Sequence, residues 1–304
     1  MADPPPGIER DFPLARLTTI RTGGPAELFA RAGSLDALEQ LVAWAAAEGL
    51  EVGVVGSGSN LLVADAGVRG LVVKLEKELS DVKLRDTHVL CGGGARLPAV
   101  SARVAQAGLT GLEFGVNIPG TVGGAVRMNA NAYGGELARV LEWVDVVSES
   151  GTDRQTPQQL GFEYRRSSLG PGQVVARVSF ALQPAPSDQV KATLADMRAR
   201  RKAAQPSGIK TFGSTFKNPE DTRAQGRTAG QLLDEAGCRG LRVGGASFSA
   251  KHANFIENHG EATTADVVAL MAEGRRQVKE RFGIELEPEV QALGPVELPR
   301  DWKR

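Results

Sequence analysis

Two glycine-dense loops carry the strongest chemical signal in the sequence. The first, Gly56-Ser57-Gly58-Ser59-Asn60 followed by Leu61, comes directly after the apolar stretch that ends at Val55. The second, Ile118-Pro119-Gly120-Thr121-Val122-Gly123-Gly124-Ala125, packs glycines around a rigid proline and a hydroxyl, with Asn129, Asn131 and Gly134-Gly135 close behind. Glycine lets a backbone approach a ligand closely and lets successive N–H groups converge on an anion. Ser57, Ser59, Asn60 and Thr121 add short polar groups. A Rossmann-type dinucleotide fingerprint does not fit the first loop. It needs a third glycine where Leu61 stands, and the run from Leu61 to Gly67 is a poor helix start. An ordinary connecting turn remains the alternative for either loop alone. Glycine loses more backbone freedom on folding than any other residue, so two such loops suggest two walls around one phosphate-bearing ligand, most simply a pyrophosphate.

Three further positions could do chemistry. Ser214 lies in Gly213-Ser214-Thr215-Phe216-Lys217-Asn218-Pro219; taken alone, it reads as a turn serine bonded to nearby backbone. A serine-hydrolase nucleophile is excluded, because no Gly-x-Ser-x-Gly elbow occurs in the chain. Arg165, in Tyr164-Arg165-Arg166-Ser167, has the fixed fork of donors that suits a carboxylate, with a surface arginine as the plain alternative. In extended backbone Arg165 and Ser167 would share one face, and Tyr164 and Arg166 the other. Glu289 follows Glu287 in a Leu-Glu-Pro-Glu-Val run and could be a solvated carboxylate, as Glu287 is expected to be.

The composition around these residues is that of a globular protein. Hydrophobic residues make up 41% and charged residues 24% of 304 positions, which excludes wholesale disorder and allows about two domains. Thirty-six basic side chains balance 36 acidic ones, without the basic excess of a dedicated nucleic-acid binder, so no nucleic-acid partner is expected. Cys91 and Cys238 offer neither a disulfide framework nor zinc-ligand spacing, and His88, His252 and His259 form no constellation, so no metal is expected. The proline-rich start lacks a signal pattern, and no apolar run approaches the roughly 18 residues that span a bilayer. A cytoplasmic protein without a membrane partner is expected.

The elements that must position these residues are legible in outline. Ser34 can cap a helix carrying Leu38, Leu41, Val42 and Ala45, which stops near Gly49. Strands are predicted at 51–55, 61–63 and 70–74, giving an α/β or α+β opening. A glycine cluster at 92–94 precedes a helix from Leu97 to about Gly108. Strands at 140–148 and 174–182 belong to one mostly β unit. Pro184-Ala185-Pro186 reads as a boundary, after which Ser187 can cap a long helix whose Arg198, Arg200 and Arg201 face water near its negative end. Helices follow at 229–236 and at 264–282, the latter ended by Gly283.

Taken in order, these stretches resemble the UDP-N-acetylenolpyruvoylglucosamine reductase family. The resemblance is carried by Thr19-Ile20-Arg21-Thr22-Gly23-Gly24-Pro25-Ala26, the two glycine loops, Met128-Asn129-Ala130-Asn131-Ala132-Tyr133-Gly134 and Tyr164-Arg165-Arg166-Ser167. Gly213 to Pro219, Ala229 to Asp234, Gly244-Gly245-Ala246, His252 to Ile256 and Leu286 to Val290 complete it. Each glycine motif is weak alone; the series from about residue 17 to 293 is specific. The short passage from Arg165 to the strand at Val174 is similar to the family's shorter, type II form.

The resemblance implies an α+β fold: an FAD-binding PCMH-type region of two α/β subdomains, then a smaller α+β substrate-binding domain. The expected limits are an N-terminal extension at 1–18, the FAD-binding domain at 19–185 (split near 75), the substrate domain at 186–293 and a tail at 294–304. The implied activity is NADPH-dependent reduction of UDP-N-acetylglucosamine enolpyruvate to UDP-N-acetylmuramate for peptidoglycan synthesis. FAD would be noncovalent, since Cys91 sits in no attachment motif. It would be held by Val55 through Leu61, Ile118 through Thr121, Gly123, Gly124, Ala125 and Asn129. Ser214 would donate the proton, Arg165 would face the substrate carboxylate, and Glu289 would act as a protonated acid or relay. Tyr164, Lys217 and Asn218 would contact substrate, while His252 and Asn254 are as readily structural. A monomer is expected. An FAD-dependent oxidase of the same cofactor fold, or a noncatalytic UDP-sugar binder, are the other readings, and the Ser214, Arg165 and Glu289 motifs argue against both.

Two departures from the family pattern are asparagines where glycine is usual, Asn117 and Asn131. Asparagine tolerates positive φ best among non-glycine residues, so a preserved backbone path is expected. Phe212 replaces a smaller residue and is expected to reshape the substrate pocket.

Overall fold

Residues 3–206, 208, 210–299 and 302 are described by the computed structural model. The first two residues of the expected extension and residues 300, 301, 303 and 304 of the expected tail lie outside the described residues. The chain divides into two compact units. Unit 1 takes Met1–Phe12, Glu27–Ser57 and Arg69–Arg201; unit 2 takes Pro13–Ala26, Gly58–Val68 and Lys202–Arg304.

Unit 1 has two sheets. In the first, the strands run in the order Glu9–Pro13, Pro25–Ala32, Val68–Leu75, Val52–Val54, and the last two pair in parallel. Helix α1 (Leu35–Ala47) starts as its sequence requires: the Ser34 hydroxyl accepts from Ala37 N at 3.2 Å. Leu38, Leu41, Val42 and Ala45 are buried along one face with Leu28, Leu71 and Val73. Gly49, at φ +66°, follows where the chain turns back.

The second sheet of unit 1 is antiparallel, in the order Gly151–Gln155, Leu141–Ser148, Val174–Ala181, His88–Gly92, Val82–Arg85. Pairing of 141–148 with 174–181 is the one β unit expected. Helices α2 (Leu97–Gln106) and α3 (Val122–Arg127) share its core through Leu97, Val100, Val104, Val122 and Val126. Helix α4 (Ser187–Ala204) rests Val190 and Leu194 on Ala105 and Val116. Ser187 does not act as the expected cap. It is the helix's first residue, and its hydroxyl donates to Ala105 O at 2.9 Å, tying α4 to α2.

Unit 2 holds an antiparallel sheet in the order Lys210–Thr211, Ile256–Asn258, Ala246–Phe248, Arg242–Val243. Helices α5 (Ala229–Glu235) and α6 (Thr264–Phe282) both open on capping boxes, Thr228 with Gln231 and Thr263 with Asp266. Gly283, at φ +70°, ends α6 as predicted. Strand Gln291–Leu293 pairs in parallel with Leu61–Val63, so a stretch near the chain's start is built into the unit made mostly from its end. Leu62, Ile20, Phe212, Phe216, Phe248 and Met271 lie in one buried core. Phe212 is fully buried there, a core filler and not a pocket wall. Among the described residues, no helix is long and apolar enough to cross a membrane.

Candidate active site

The first glycine loop passes from unit 1 into unit 2 after Ser57, and inside unit 1 its Gly56 meets the second loop. A Cβ built on Gly56 would lie 2.5 Å from Thr121 Oγ1, so only glycine fits against the second loop at this point. Thr121 is itself fixed as the residue before α3, where its hydroxyl oxygen accepts from Gly124 N at 3.4 Å. The glycine run at 92–94, for which the sequence suggested no role, supports the second loop from behind. Gly123 N donates to Gly93 O and Val122 N to Ala95 O, each at 2.8 Å, and Leu97 N donates to Gly120 O at 3.0 Å. A Cβ on Gly93 would sit 1.9 Å from Val175 O, which explains that glycine.

The two loops differ in what they can offer an anion. Gly120, Val122 and Gly123 spend their N–H groups on protein carbonyls, and Gly124 spends its own on Thr121. Among the described residues, the N–H groups of Gly56, Ser57, Gly58, Ser59 and Asn60 donate to no protein acceptor. Five successive uncommitted donors, in a chain bent by Gly58 at φ +62°, suit a phosphate-bearing cofactor. Gly58 is obligatory for a second reason: a Cβ there would lie 2.0 Å from Leu17 O. Thr19 N and Oγ1 both donate to Gly58 O, at 3.0 and 3.2 Å, which gives the Thr19 motif its purpose.

Asn129 is buried, and its amide is spent within the protein. Nδ2 donates to Glu136 Oε1 at 2.7 Å and Glu163 O at 3.1 Å, while Oδ1 accepts from Ala138 N at 3.3 Å. Neither Asn117 nor Asn131 has positive φ, so asparagine's tolerance of that region is not called on here; the left-handed residues of this stretch are Asn129, Tyr133 and Gly134. Both asparagines serve through their side chains. Asn117 Nδ2 donates to Met197 O at 2.7 Å and Tyr133 OH at 3.2 Å. Arg201 donates to Asn117 O and does not simply face water as expected; burial holds its guanidinium below the usual arginine range. Arg200 keeps to the surface and pairs with Asp196 at 2.8 Å.

Arg165 does not lie in extended backbone. Glu163 and Arg166 exchange backbone hydrogen bonds of 3.1 and 3.2 Å, placing Tyr164 and Arg165 at the tip of a tight turn with Arg165 at φ +58°. The expected alternation of faces therefore fails, because local pairing overrides strand geometry. The Arg165 guanidinium lies 5.1 Å from the Tyr164 ring centroid, and Nη1 donates to Asn131 Oδ1 at 2.8 Å and Asn131 O at 3.2 Å.

Unit 2 brings Ser214, Glu289 and Asn60 onto adjoining backbone. Gly213 N donates to Ser59 O at 3.0 Å, Glu289 N to Thr215 O at 2.9 Å, and Lys217 N to Glu287 O at 2.9 Å. Asn60 closes the group: Nδ2 donates to Glu289 O at 3.2 Å, and Gln291 N donates to Asn60 O at 3.0 Å. Ser214 is half-buried, and among the described residues its hydroxyl makes no hydrogen bond to protein, unlike a turn serine. Lys217 Nζ pairs with Glu287 Oε1 at 2.6 Å, and Asn218 Oδ1 accepts from Ala229 N at 3.1 Å, at the start of α5.

Sequence reasoning left Asn254 undecided, and its geometry is specific. Thr215 N donates to Asn254 O at 2.8 Å, Phe216 N to Asn254 Oδ1 at 2.9 Å, and Asn254 Nδ2 to Phe216 O at 2.8 Å. This buried amide clamps the segment that carries Ser214. His252 backs it, its Nδ1 accepting from Asn254 N at 3.2 Å, and burial lowers the imidazole pKa.

Comparison with known proteins agrees with this arrangement. Residues 26–156 match an FAD-binding-domain family model, and residues 205–293 match that of the UDP-N-acetylenolpyruvoylglucosamine reductase C-terminal domain. The chain is 43% identical over 285 residues to the UDP-N-acetylenolpyruvoylglucosamine reductase of Acidiphilium cryptum, covering 93% of this chain and 90% of that protein. It belongs to the UDP-N-acetylenolpyruvoylglucosamine reductase family. The same-named protein of Sphingopyxis alaskensis is 45% identical over 288 residues, covering 94% of each. A crystal structure of the Thermus caldophilus reductase, 38% identical, superposes with a TM-score of 0.81 over 94% of this chain and 98% of that one. Both glycine loops fall within the FAD-binding-domain match, and the Ser214 segment falls within the C-terminal-domain match.

Proposed function

We propose that this chain is an NADPH-dependent flavoenzyme that reduces the enolpyruvyl ether of UDP-N-acetylglucosamine enolpyruvate to the lactyl ether of UDP-N-acetylmuramate. It acts in the cytoplasm, as a monomer, in peptidoglycan synthesis. The observation that carries this reading is the closure of Gly56 on Thr121 beside five uncommitted N–H donors, within a chain of this family. Val55 through Leu61, Ile118 through Thr121 and Gly123 through Ala125 would hold FAD, Asn129 contributing by shaping the backbone. Noncovalent binding is supported by Cys91, which is buried with its thiol pushed up to about 12 by desolvation, and so is no nucleophile for attachment.

When bound, the cofactor supplies hydride, drawn from NADPH and delivered to the terminal vinyl carbon. Negative charge then develops on the adjacent carbon and its carboxylate. Arg165 offers that carboxylate a guanidinium fork, and a preorganised cation at developing charge is the larger part of such catalysis. Ser214 gives its proton to the adjacent carbon; a hydroxyl is a weak acid, but an enolate-like carbon is basic enough to take its proton. Glu289, carried on the strand segment bonded to Thr215, would donate a hydrogen bond to the substrate as an acid or relay the proton. Lys217, Asn218 and Tyr164 would line the remainder of the substrate's path.

The test is NADPH oxidation by the purified, FAD-loaded protein, followed both anaerobically and in air, with and without the enolpyruvyl substrate. Stimulation by substrate with formation of UDP-N-acetylmuramate is expected. Oxygen consumption that needs no enolpyruvyl acceptor, or binding of UDP-sugars without NADPH consumption, would overturn the reading in favour of an oxidase or a binder.

A further inference from the structure

We propose that Asn131 is a positioning residue that sets the guanidinium of Arg165 for the substrate carboxylate; this rests on the role given to Arg165 above. Three contacts define the device, all inside unit 1. The stem of the 163–166 turn is pinned from one side by Asn129 Nδ2, which donates to Glu163 O at 3.1 Å. It is pinned from the other by Ser167 Oγ, which donates to Arg127 O at 2.9 Å. Asn131 then receives the guanidinium, its Oδ1 accepting from Nη1 at 2.8 Å and its carbonyl at 3.2 Å.

Asn131 is held in turn. It lies in the short strand Asn131–Ala132, paired with Gly135–Glu136 around Tyr133 and Gly134, both at positive φ. Arg165 itself sits at φ +58°, a conformation a side-chain-bearing residue adopts only when its surroundings hold it there. A glycine at 131 would remove the Oδ1 acceptor and leave Nη1 only the carbonyl of this residue. An aspartate would keep the acceptor but add a negative charge beside the guanidinium. An amide oxygen orients the fork without adding that charge. Misplacing such a group by an ångström is costly in rate even where binding survives.

The experiment uses the FAD-loaded full chain and reads three quantities: Kd for the enolpyruvyl substrate on the oxidised protein, the rate of flavin reduction by NADPH, and the rate at which substrate reoxidises reduced flavin. Asn131→Gly should weaken Kd about tenfold and slow substrate-driven reoxidation at least as much, with NADPH reduction unchanged. Asn131→Asp, isosteric with the native residue, should weaken Kd further than Asn131→Gly. In an Arg165→Ala background Asn131→Gly should add less than twofold. Unchanged Kd and reoxidation in Asn131→Gly, or losses that simply add to those of Arg165→Ala, overturn the proposal. If Arg165→Ala itself leaves substrate handling intact, or the native protein consumes no NADPH with this substrate, the functional reading above is what fails.

Discussion

At the scale of the residue, Ser214 and His252 lead to separate expectations. Ser214 is placed by backbone it does not control: Ser59 O accepts from the Gly213 N–H before it, and Asn254 and Glu289 hold the residues after it. Ser214→Ala should therefore leave the fold and NADPH-driven flavin reduction intact, while reoxidation by substrate slows by orders of magnitude in anaerobic stopped flow. Unchanged reoxidation would remove the proton-donor role. His252 must stay neutral for Nδ1 to accept from Asn254 N. Burial lowers its pKa below the ordinary 6.5, so the unfolded chain binds the proton more readily. Its contribution to stability is full above pH about 6.5 and declines as pH falls toward the lowered folded value. Melting temperature should thus drop between pH 7 and 5.5 more steeply in the native protein than in His252→Asn, which keeps an acceptor and does not titrate; parallel profiles would contradict this. Ser214, Arg165 and Glu289 could be singled out from sequence because each stands in a motif of distinctive residue types. The work of Asn131, Asn117 and Asn254 could not be, because an asparagine's partners lie far along the chain: Asn117 reaches Met197, and Asn254 reaches Phe216.

At the scale of the element, local signals sufficed wherever one residue decides a terminus. Ser34 starts α1, and Gly283 ends α6, because a side-chain acceptor and a left-handed residue do those jobs alone. The same reasoning failed at Ser187, whose hydroxyl found Ala105 in another helix, and at 163–166, where reciprocal backbone bonds bent a segment read as extended. Helix α6 offers a test in which propensity and packing disagree. Gly274 lies mid-helix, where alanine would ordinarily gain about 1 kcal/mol. A Cβ there would fall 2.6 Å from Phe248 Cζ and 3.1 Å from Leu233 Cδ2, both side chains being fully buried. Overpacking of this kind costs about 1–3 kcal/mol, so Gly274→Ala should lower the melting temperature. An increase would show that the ring can move aside.

At the scale of the whole molecule, alternating patterns left α/β and α+β open and the family resemblance implied α+β, but neither revealed the composition of the two units. Residues 13–26 and 58–68 belong with the C-terminal part, a membership set by the pairing of 61–63 with 291–293 and by the buried bond from Asn258 Nδ2 to Ile20 O at 2.8 Å. No window of sequence contains both partners. Ligand linkage gives the prediction at this scale: FAD binds the native chain and not the unfolded one, so stripping it should lower the melting temperature. Free FAD at about 100 times its Kd should restore about 2.7 kcal/mol. A melting temperature indifferent to added FAD would argue against the cofactor assignment. The far-apart strands 61–63 and 291–293 also impose an order in time. A ribosome releases Leu61 more than two hundred residues before its neighbour exists, so that edge must wait, unpaired, until the later strand is made. Glu289 lies two residues before that later strand, so a nascent chain that stops short of it carries both glycine loops and Ser214 but not yet the carboxylate proposed as acid or relay.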